Sequence, residues 1–259
     1  MDIIKIPIPA QRQQKIGFLI NERLSVTIKE VADICGVSEA TARRDLDDMA
    51  AKGLLERTHG GAVIHRGTGF EEHHSEKMKI MIPEKTRIAA AAANLLKDGD
   101  SILLDSGTST YLLADMLHSF KHITVITNNM DIAYSAKLDS TSTMIVTGGI
   151  RREGYSILAG ELTQNLIDTI CVDYSFVGVD SINITSGIYC SNFIEIGVKK
   201  CMVNAGKKVV ALADSSKFHK ESLAKLCSLD KIDIIITDDG LSDEERRVLE
   251  EQVERVIIA

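Results

Sequence analysis

Apolar positions follow two different rhythms along this chain. Up to residue 64 they recur at helical spacing. Ile16, Leu19 and Ile20 share one face of a predicted helix over residues 11–23. Ile28 to Cys35 form a second, short helix that Gly36 ends at a C′ position. Ala42, Leu46 and Met49 share the buried face of a third, which Ser38 caps and Gly53 stops. Leu54 to Thr58 then reads as a strand, His59-Gly60-Gly61 as a tight turn and Ala62 to Ile64 as the returning strand. Between residues 65 and 83 the periodicity dissolves. From Glu84 the rhythm changes: a helix from Glu84 to Lys97 stops at Asp98-Gly99, and short apolar strands then alternate with helices. The strands are Ser101–Asp105, Ile123–Thr127, Thr143–Thr147, Tyr174–Val179, Lys208–Ala213, Ile232–Thr237 and Arg255–Ile258. Such alternation predicts an α/β fold with a mainly parallel sheet covered on both faces. The expected organisation is a helix-and-hairpin domain over 1–66, a linker over 67–83 and an α/β domain over 84–259.

The first rhythm carries a recognisable chemistry. Helix, glycine turn, helix and hairpin make a winged helix-turn-helix, whose second helix enters the DNA major groove. Ser38, Thr41, Arg43 and Arg44 lie on the exposed side of that helix, and Arg57 and His59 lie near the wing tip. These six are the candidate DNA contacts. Arg43 and Arg44 also stand four residues before Asp47 and Asp48, so surface ion pairs compete with that role.

In the second rhythm the strand ends are informative. Asp105-Ser106-Gly107-Thr108-Ser109-Thr110, Thr127-Asn128-Asn129, Thr147-Gly148-Gly149, Gly178-Val179-Asp180 and Asp214-Ser215-Ser216-Lys217 all follow strands. Ligands of open α/β sheets bind outside those carboxyl ends. Ser106 to Thr110 adds three hydroxyls to the positive end of a helix, which makes an anion cradle. It lacks the spacing and lysine of a Walker A loop. Glu195 and Lys199 stand at i,i+4, which alone reads as a surface pair supporting the helix by about 0.2–0.5 kcal/mol.

Bulk properties narrow the class. The chain has 259 residues, 44% hydrophobic and 26% charged, enough for two cores. Five cysteines, at 35, 171, 190, 201 and 227, form no C-x-x-C pair and point to reduced thiols in a cytoplasm. Residues 1–9 do not read as a signal peptide, and no apolar run is of membrane-spanning length, so no membrane association is expected. Glu71-Glu72-His73-His74 lacks ligand spacing, so no metal is expected, and no motif asks for a cofactor. Net charge is −7, yet residues 1–66 hold 10 Lys+Arg against 9 Asp+Glu. DNA binding must therefore rest on local placement of cations and on more than one copy of the chain.

Residues Gln11 to Val63 resemble the amino-terminal domain of the DeoR family of bacterial transcriptional regulators. The resemblance lies in Arg12-Gln13, in Val37-Ser38-Glu39-Ala40-Thr41-Ala42-Arg43-Arg44-Asp45-Leu46, and in Gly53-Leu54-Leu55-Glu56-Arg57-Thr58-His59-Gly60-Gly61-Ala62. Ala42 departs from the valine or isoleucine more common there. The remainder resembles the family's sensor domain in Glu84-Lys85 with Ile88-Ala89, Asp105 to Thr108, Thr127-Asn128, Gly148-Gly149, Gly178-Val179-Asp180, Glu195 with Lys199, and Asp214 to Phe218. The resemblance implies a fold similar to ribose-5-phosphate isomerases and CoA-transferase relatives, and a sugar-phosphate effector. With the strand-end reading, it makes Asp105, Ser106, Gly107, Thr108, Ser109, Thr110, Asn128, Gly148, Gly149, Asp180, Glu195, Lys199, Asp214 and Lys217 the candidate effector residues. The expected protein is a homo-oligomeric repressor of a carbohydrate uptake or catabolism operon, bound to double-stranded operator DNA and controlled by a sugar phosphate. One rival is a sugar-phosphate isomerase with a DNA-binding appendage, using Glu195 as base and Lys199 or Lys217 as electrostatic stabiliser. Ser181 to Gly187 lacks the Lys-Gly-Gly-rich segment such isomerases show. The other rival is an activator.

Overall fold

The computed structural model describes residues 9–259 except 24, 53, 59, 65–73, 153–154 and 219–221. The chain divides into two compact units, Met1–Gly67 and Thr68–Ala259.

The first unit runs α1 (Pro9–Arg23), β1 (Ser25–Thr27), α2 (Ile28–Cys35), α3 (Glu39–Ala51), β2 (Leu55–Thr58) and β3 (Gly61–Ile64). Local chemistry fixes the helix ends. Thr27 and Glu30 form a reciprocal capping box on α2, and Gly36 ends it in the left-handed region at φ 66°. The Ser38 hydroxyl accepts from Thr41 N–H at 3.2 Å and starts α3. Ile16, Ile20, Val31, Ala42 and Leu46 close the core. Strand β1 was not foreseen, because three residues show no periodicity. It pairs antiparallel with β3, so the wing is a three-stranded sheet in the order β1-β3-β2. Gly61 permits that pairing, since a Cβ there would lie 1.9 Å from the Val26 carbonyl oxygen.

A buried ion pair joins the first and third helices. Arg12 donates through Nε and Nη2 to the two carboxylate oxygens of Asp45, at 2.6 and 2.9 Å. This bidentate geometry supplies the hydrogen bonds that a buried pair requires.

The second unit holds α4 (His74–Lys77), α5 (Ile82–Ala93), β4 (Ser101–Leu104), α6 (Thr108–Asp115), β5 (Thr124–Thr127), α7 (Met130–Ser135), β6 (Thr143–Val146), β7 (Ile150–Arg151), β8 (Leu158–Ala159), α8 (Glu161–Asp168) and β9 (Val172–Gly178). It continues with β10 (Ser181–Asn183), β11 (Gly187–Cys190), α9 (Ile196–Ala205), β12 (Gly206–Leu212), β13 (Ala224–Cys227), β14 (Ile234–Thr237), α10 (Asp243–Glu250) and β15 (Arg255–Ile258). Seven strands form a wholly parallel sheet in the order β15-β14-β12-β9-β4-β5-β6. Side chains alternate between two cores. Leu103, Val177, Ala211 and Ile235 enter one, and Ile102, Leu104, Phe176, Val210 and Ile236 enter the other. Cover on both faces holds in the centre and lapses at edge strand β6, where Ile145 and Val146 remain exposed. Two small antiparallel sheets, β10-β11-β13 and β7-β8, were not anticipated.

The chain winds outward from β4 through β5 to β6, then returns to the other side of β4 as β9. The order of winding therefore reverses between β4 and β9. Open α/β sheets place their ligand crevice at such a switch point.

Candidate DNA-reading helix and effector crevice

On α3, Arg43 and Arg44 are exposed and make no ion pair among the described residues. The competing pairs with Asp47 and Asp48 do not form. Asp47 instead accepts from Arg57 Nε at 2.7 Å. Arg57 also donates to the Gly61 carbonyl, so it braces β2 against α3 and β3 rather than standing free at a wing tip. Thr41 and Ser38 hydroxyls lie 3.0 Å apart at the helix start. His59 lies outside the described residues. The exposed cations of α3 are thus Arg43 and Arg44.

In the second unit a crevice opens at the carboxyl ends of β4, β9 and β12. Of the predicted effector residues, Ser106, Gly107, Thr108, Ser109, Asp180, Glu195, Lys199, Asp214 and Lys217 line it. Its floor is a close approach of two backbones. A Cβ on Gly178 would meet Gly107 Cα at 2.9 Å, and one on Gly107 would meet Gly178 Cα at 3.1 Å. Gly107 precedes α6, whose first-turn N–H groups have no intrahelical partner and mark the positive end of the helix dipole.

Asp105 lies beneath that floor as its organiser. Its Oδ2 accepts from Gly178 N–H at 2.9 Å and from Lys199 Nζ, while Lys199 also donates to the Gly178 carbonyl at 2.9 Å. Burial opposes the lysine charge, but the Asp105 carboxylate together with Cys190, Glu195 and Asp180 outweighs it and holds the Lys199 pKa above its ordinary value. Asp180 accepts from Ser191 N–H at 2.9 Å and from Lys77 Nζ at 2.7 Å. Burial pushes this carboxyl up, yet the charges of Lys77 and Lys199 prevail and keep it below the usual carboxylate range. Asp214 caps the turn that carries Lys217.

Several expectations change. Thr110 is fully buried, and its hydroxyl lies 2.6 Å from the Asp105 carbonyl and 2.7 Å from that of Gly107. It braces the turn and does not face the crevice. Asn128 donates to the Leu158 carbonyl at 3.0 Å, outside the lining. Gly148 and Gly149, at φ 69° and 127°, shape the turn before β7, where a Cβ on Gly149 would lie 2.1 Å from Thr163 Oγ1. Glu195 and Lys199 are not a surface pair: both are buried, and Glu195 accepts from Arg152 at 2.6 Å. Sequence reasoning also missed lining residues Lys77, Lys85 and Tyr155. Lys85 is 3% exposed and shares the buried face of α5 with Ile88, Ala89 and Ala92; a lysine at the head of that apolar spacing was the available signal. The described residues contain no group of three or more His, Cys, Asp or Glu that could hold a metal. They also contain no helix long and apolar enough to cross a membrane.

Comparison with known proteins agrees with this division. The DeoR-like helix-turn-helix domain matches residues 12–68, and the DeoR C terminal sensor domain matches residues 80–239. The uncharacterized HTH-type transcriptional regulator YulB of Bacillus subtilis (strain 168) is 34% identical, over 95% of each chain. The L-fucose operon activator of Haemophilus influenzae is 32% identical, over 93% of this chain and 96% of its own. A ribose 5-phosphate isomerase of Methanocaldococcus jannaschii overlaps 53% of this chain and 55% of its own, at 18% identity and a TM-score of 0.39.

Proposed function

This chain belongs to the DeoR family of DNA-binding transcriptional regulators, and we propose that a sugar phosphate bound in the β4–β9 crevice sets its affinity for operator DNA. The observation that carries this reading is the crevice chemistry. The start of α6, with Ser106, Thr108 and Ser109, lines one opening together with Lys77, Lys85 and Lys217. A dianionic phosphate suits the helix start and the lysines, while Asp180, Glu195 and Asp214 offer acceptors to sugar hydroxyls.

Repression is the simpler sense of control. Occupying an operator blocks transcription without any further contact, whereas activation requires a productive surface for the transcription machinery. A relative named an operon activator makes the opposite sense the reading to test. Homo-oligomeric binding is proposed as well, because a single recognition helix reads too few base pairs for genomic selectivity. Catalysis is not proposed: Glu195 is held by Arg152, and Lys199 is held by Asp105 beneath the crevice floor.

A thermal-shift panel of sugar phosphates tests the reading, since a ligand at 100 times its Kd stabilises by about 2.7 kcal/mol. Thr108→Asp sets a like charge against the phosphate. It should abolish that stabilisation while leaving effector-free operator binding intact. Isomerase turnover by the wild type, lost in Glu195→Gln, would overturn the assignment. Deleting the gene beside a reporter operon decides between repressor and activator.

A further inference from the structure

Two lysines of the crevice, Lys77 and Lys85, come from the stretch of chain that follows the winged helix. Lys77 ends the single helical turn α4, which lies only nine residues, 65–73, after the last described residue of the wing sheet. Two of the contacts that hold that turn to the crevice involve these lysines. Lys77 Nζ donates to Asp180 Oδ1 at 2.7 Å, with both side chains about four-fifths buried, and Lys85 Nζ donates to the Lys77 carbonyl at 2.5 Å. Both residues also line the crevice together with Ser106 to Ser109.

We propose that Lys77 reads the effector: a bound phosphate takes its ammonium from Asp180, and the exchange shifts α4 and with it the chain leading to the DNA-binding unit. This rests on the crevice being a phosphate site. The partners of the exchange are unequal. Asp180 is anchored to the chain just after β11 through Ser191 N–H, whereas Lys77 sits on one helical turn, so Lys77 is the group that moves. A phosphate carries about −1.5 to −2 charges against one on a carboxylate, so it wins the ammonium when it occupies the helix start. Asp180 is then released to accept from a sugar hydroxyl. The phosphate thereby binds two arrangements of α4 with different affinity, which is the condition for a ligand to shift an equilibrium.

Two substitutions that break the same ion pair distinguish this from a structural role. Asp180→Asn removes the rival for Lys77, and Lys77→Met removes the group that reads the phosphate. The probes are inorganic phosphate, ribose 5-phosphate and fructose 6-phosphate, used with full-length protein in calorimetric titration and in operator band shifts. Asp180→Asn should bind inorganic phosphate, which brings no sugar hydroxyl for Asp180 to hold, more tightly than wild type. Lys77→Met should bind the responding probe at least about tenfold more weakly, as the loss of one charge-assisted hydrogen bond implies. The operator affinity of Lys77→Met should no longer respond to the probe, and Lys77→Arg should restore part of both effects. Equal changes in Asp180→Asn and Lys77→Met would reduce the pair to a structural brace and overturn the inference. A normal operator response in Lys77→Met would do the same while leaving the phosphate site standing. Failure of every probe to bind the wild type would remove the phosphate site itself. Should Lys77→Met not fold, the direction of the Asp180→Asn change in affinity for inorganic phosphate decides alone.

Discussion

Asp105 and Lys199, 94 positions apart, form one buried ion pair beneath the crevice. The carboxylate closes the end of β4, the ammonium belongs to α9, and the backbone of Gly178 is bonded to both. Three elements that meet at the switch point are therefore locked by one charge pair. Removing one partner leaves the other buried and unpaired. Lys199→Met should cost about 3–5 kcal/mol in denaturant unfolding. Adding Asp105→Asn removes the orphaned charge and should recover part of that loss. A Lys199→Met protein of wild-type stability would show that the pair does not organise the floor.

The two facing glycines predict a second effect. Gly178→Ala drives a Cβ into backbone, which cannot rotate away, so unfolding free energy should fall by about 1–3 kcal/mol and phosphate binding with it. Gly17 lies inside α1, where an added Cβ would meet nothing within 4 Å, so Gly17→Ala should instead stabilise by about 0.5–1 kcal/mol. Chemical denaturation of both variants checks the contrast in sign.

On the DNA side, Arg44→Ala should weaken operator binding by about 1–3 kcal/mol if it reaches a base edge. Its melting temperature should stay at the wild-type value, since no ion pair is lost. Arg57→Ala should lower the stability of the first unit by about 1–2 kcal/mol, since it loses both the exposed pair with Asp47 and the hydrogen bond to the Gly61 carbonyl. Band shifts and thermal melts of the two variants separate a reader from a brace.

Acid sensitivity should trace partly to Asp173. Hydrogen bonds from Lys207, from Ser101 N–H and from the Ser101 hydroxyl hold its carboxyl below the usual range. A pKa lower in the folded than in the unfolded chain gives stability that is complete above the unfolded value, about 3.9, and is lost as pH falls through the folded one. Asp173→Asn should therefore melt below wild type at pH 7, and the gap should narrow as the buffer is taken below pH 4. A gap that stays constant with pH would assign the loss to packing.

What could be read from the residues alone was mostly local. Gly36, Ser38 and the face of Ala42, Leu46 and Met49 describe α2 and α3 because caps and helical periods act within a few residues. The parallel strands showed as apolar runs because the central ones bury both faces, while edge strand β6 is apolar yet partly exposed. Contacts distant in sequence did not show. Gly107 and Gly178 each read as a turn glycine, and only the fold makes them neighbours. Thr110 looked like a ligand hydroxyl because its type and position fit, yet its partners are the carbonyls of its own loop. Lys77 lay where no period existed to interpret it, and strands β7, β8, β10 and β11, of two to four residues, were too short to alternate visibly.

Arg12 and Asp45 carry a consequence for modularity. The recognition helix is seated by a guanidinium 33 positions upstream, on a helix that belongs to neither half of the helix-turn-helix. A reader grafted onto another protein from Ile28 onward would bring a buried carboxylate with no counterion into its new host. The smallest transplantable DNA reader in this chain therefore starts ahead of Arg12, and swapping operator specificity between relatives means exchanging residues on the outer face of α3 while leaving Asp45 and α1 as a matched set.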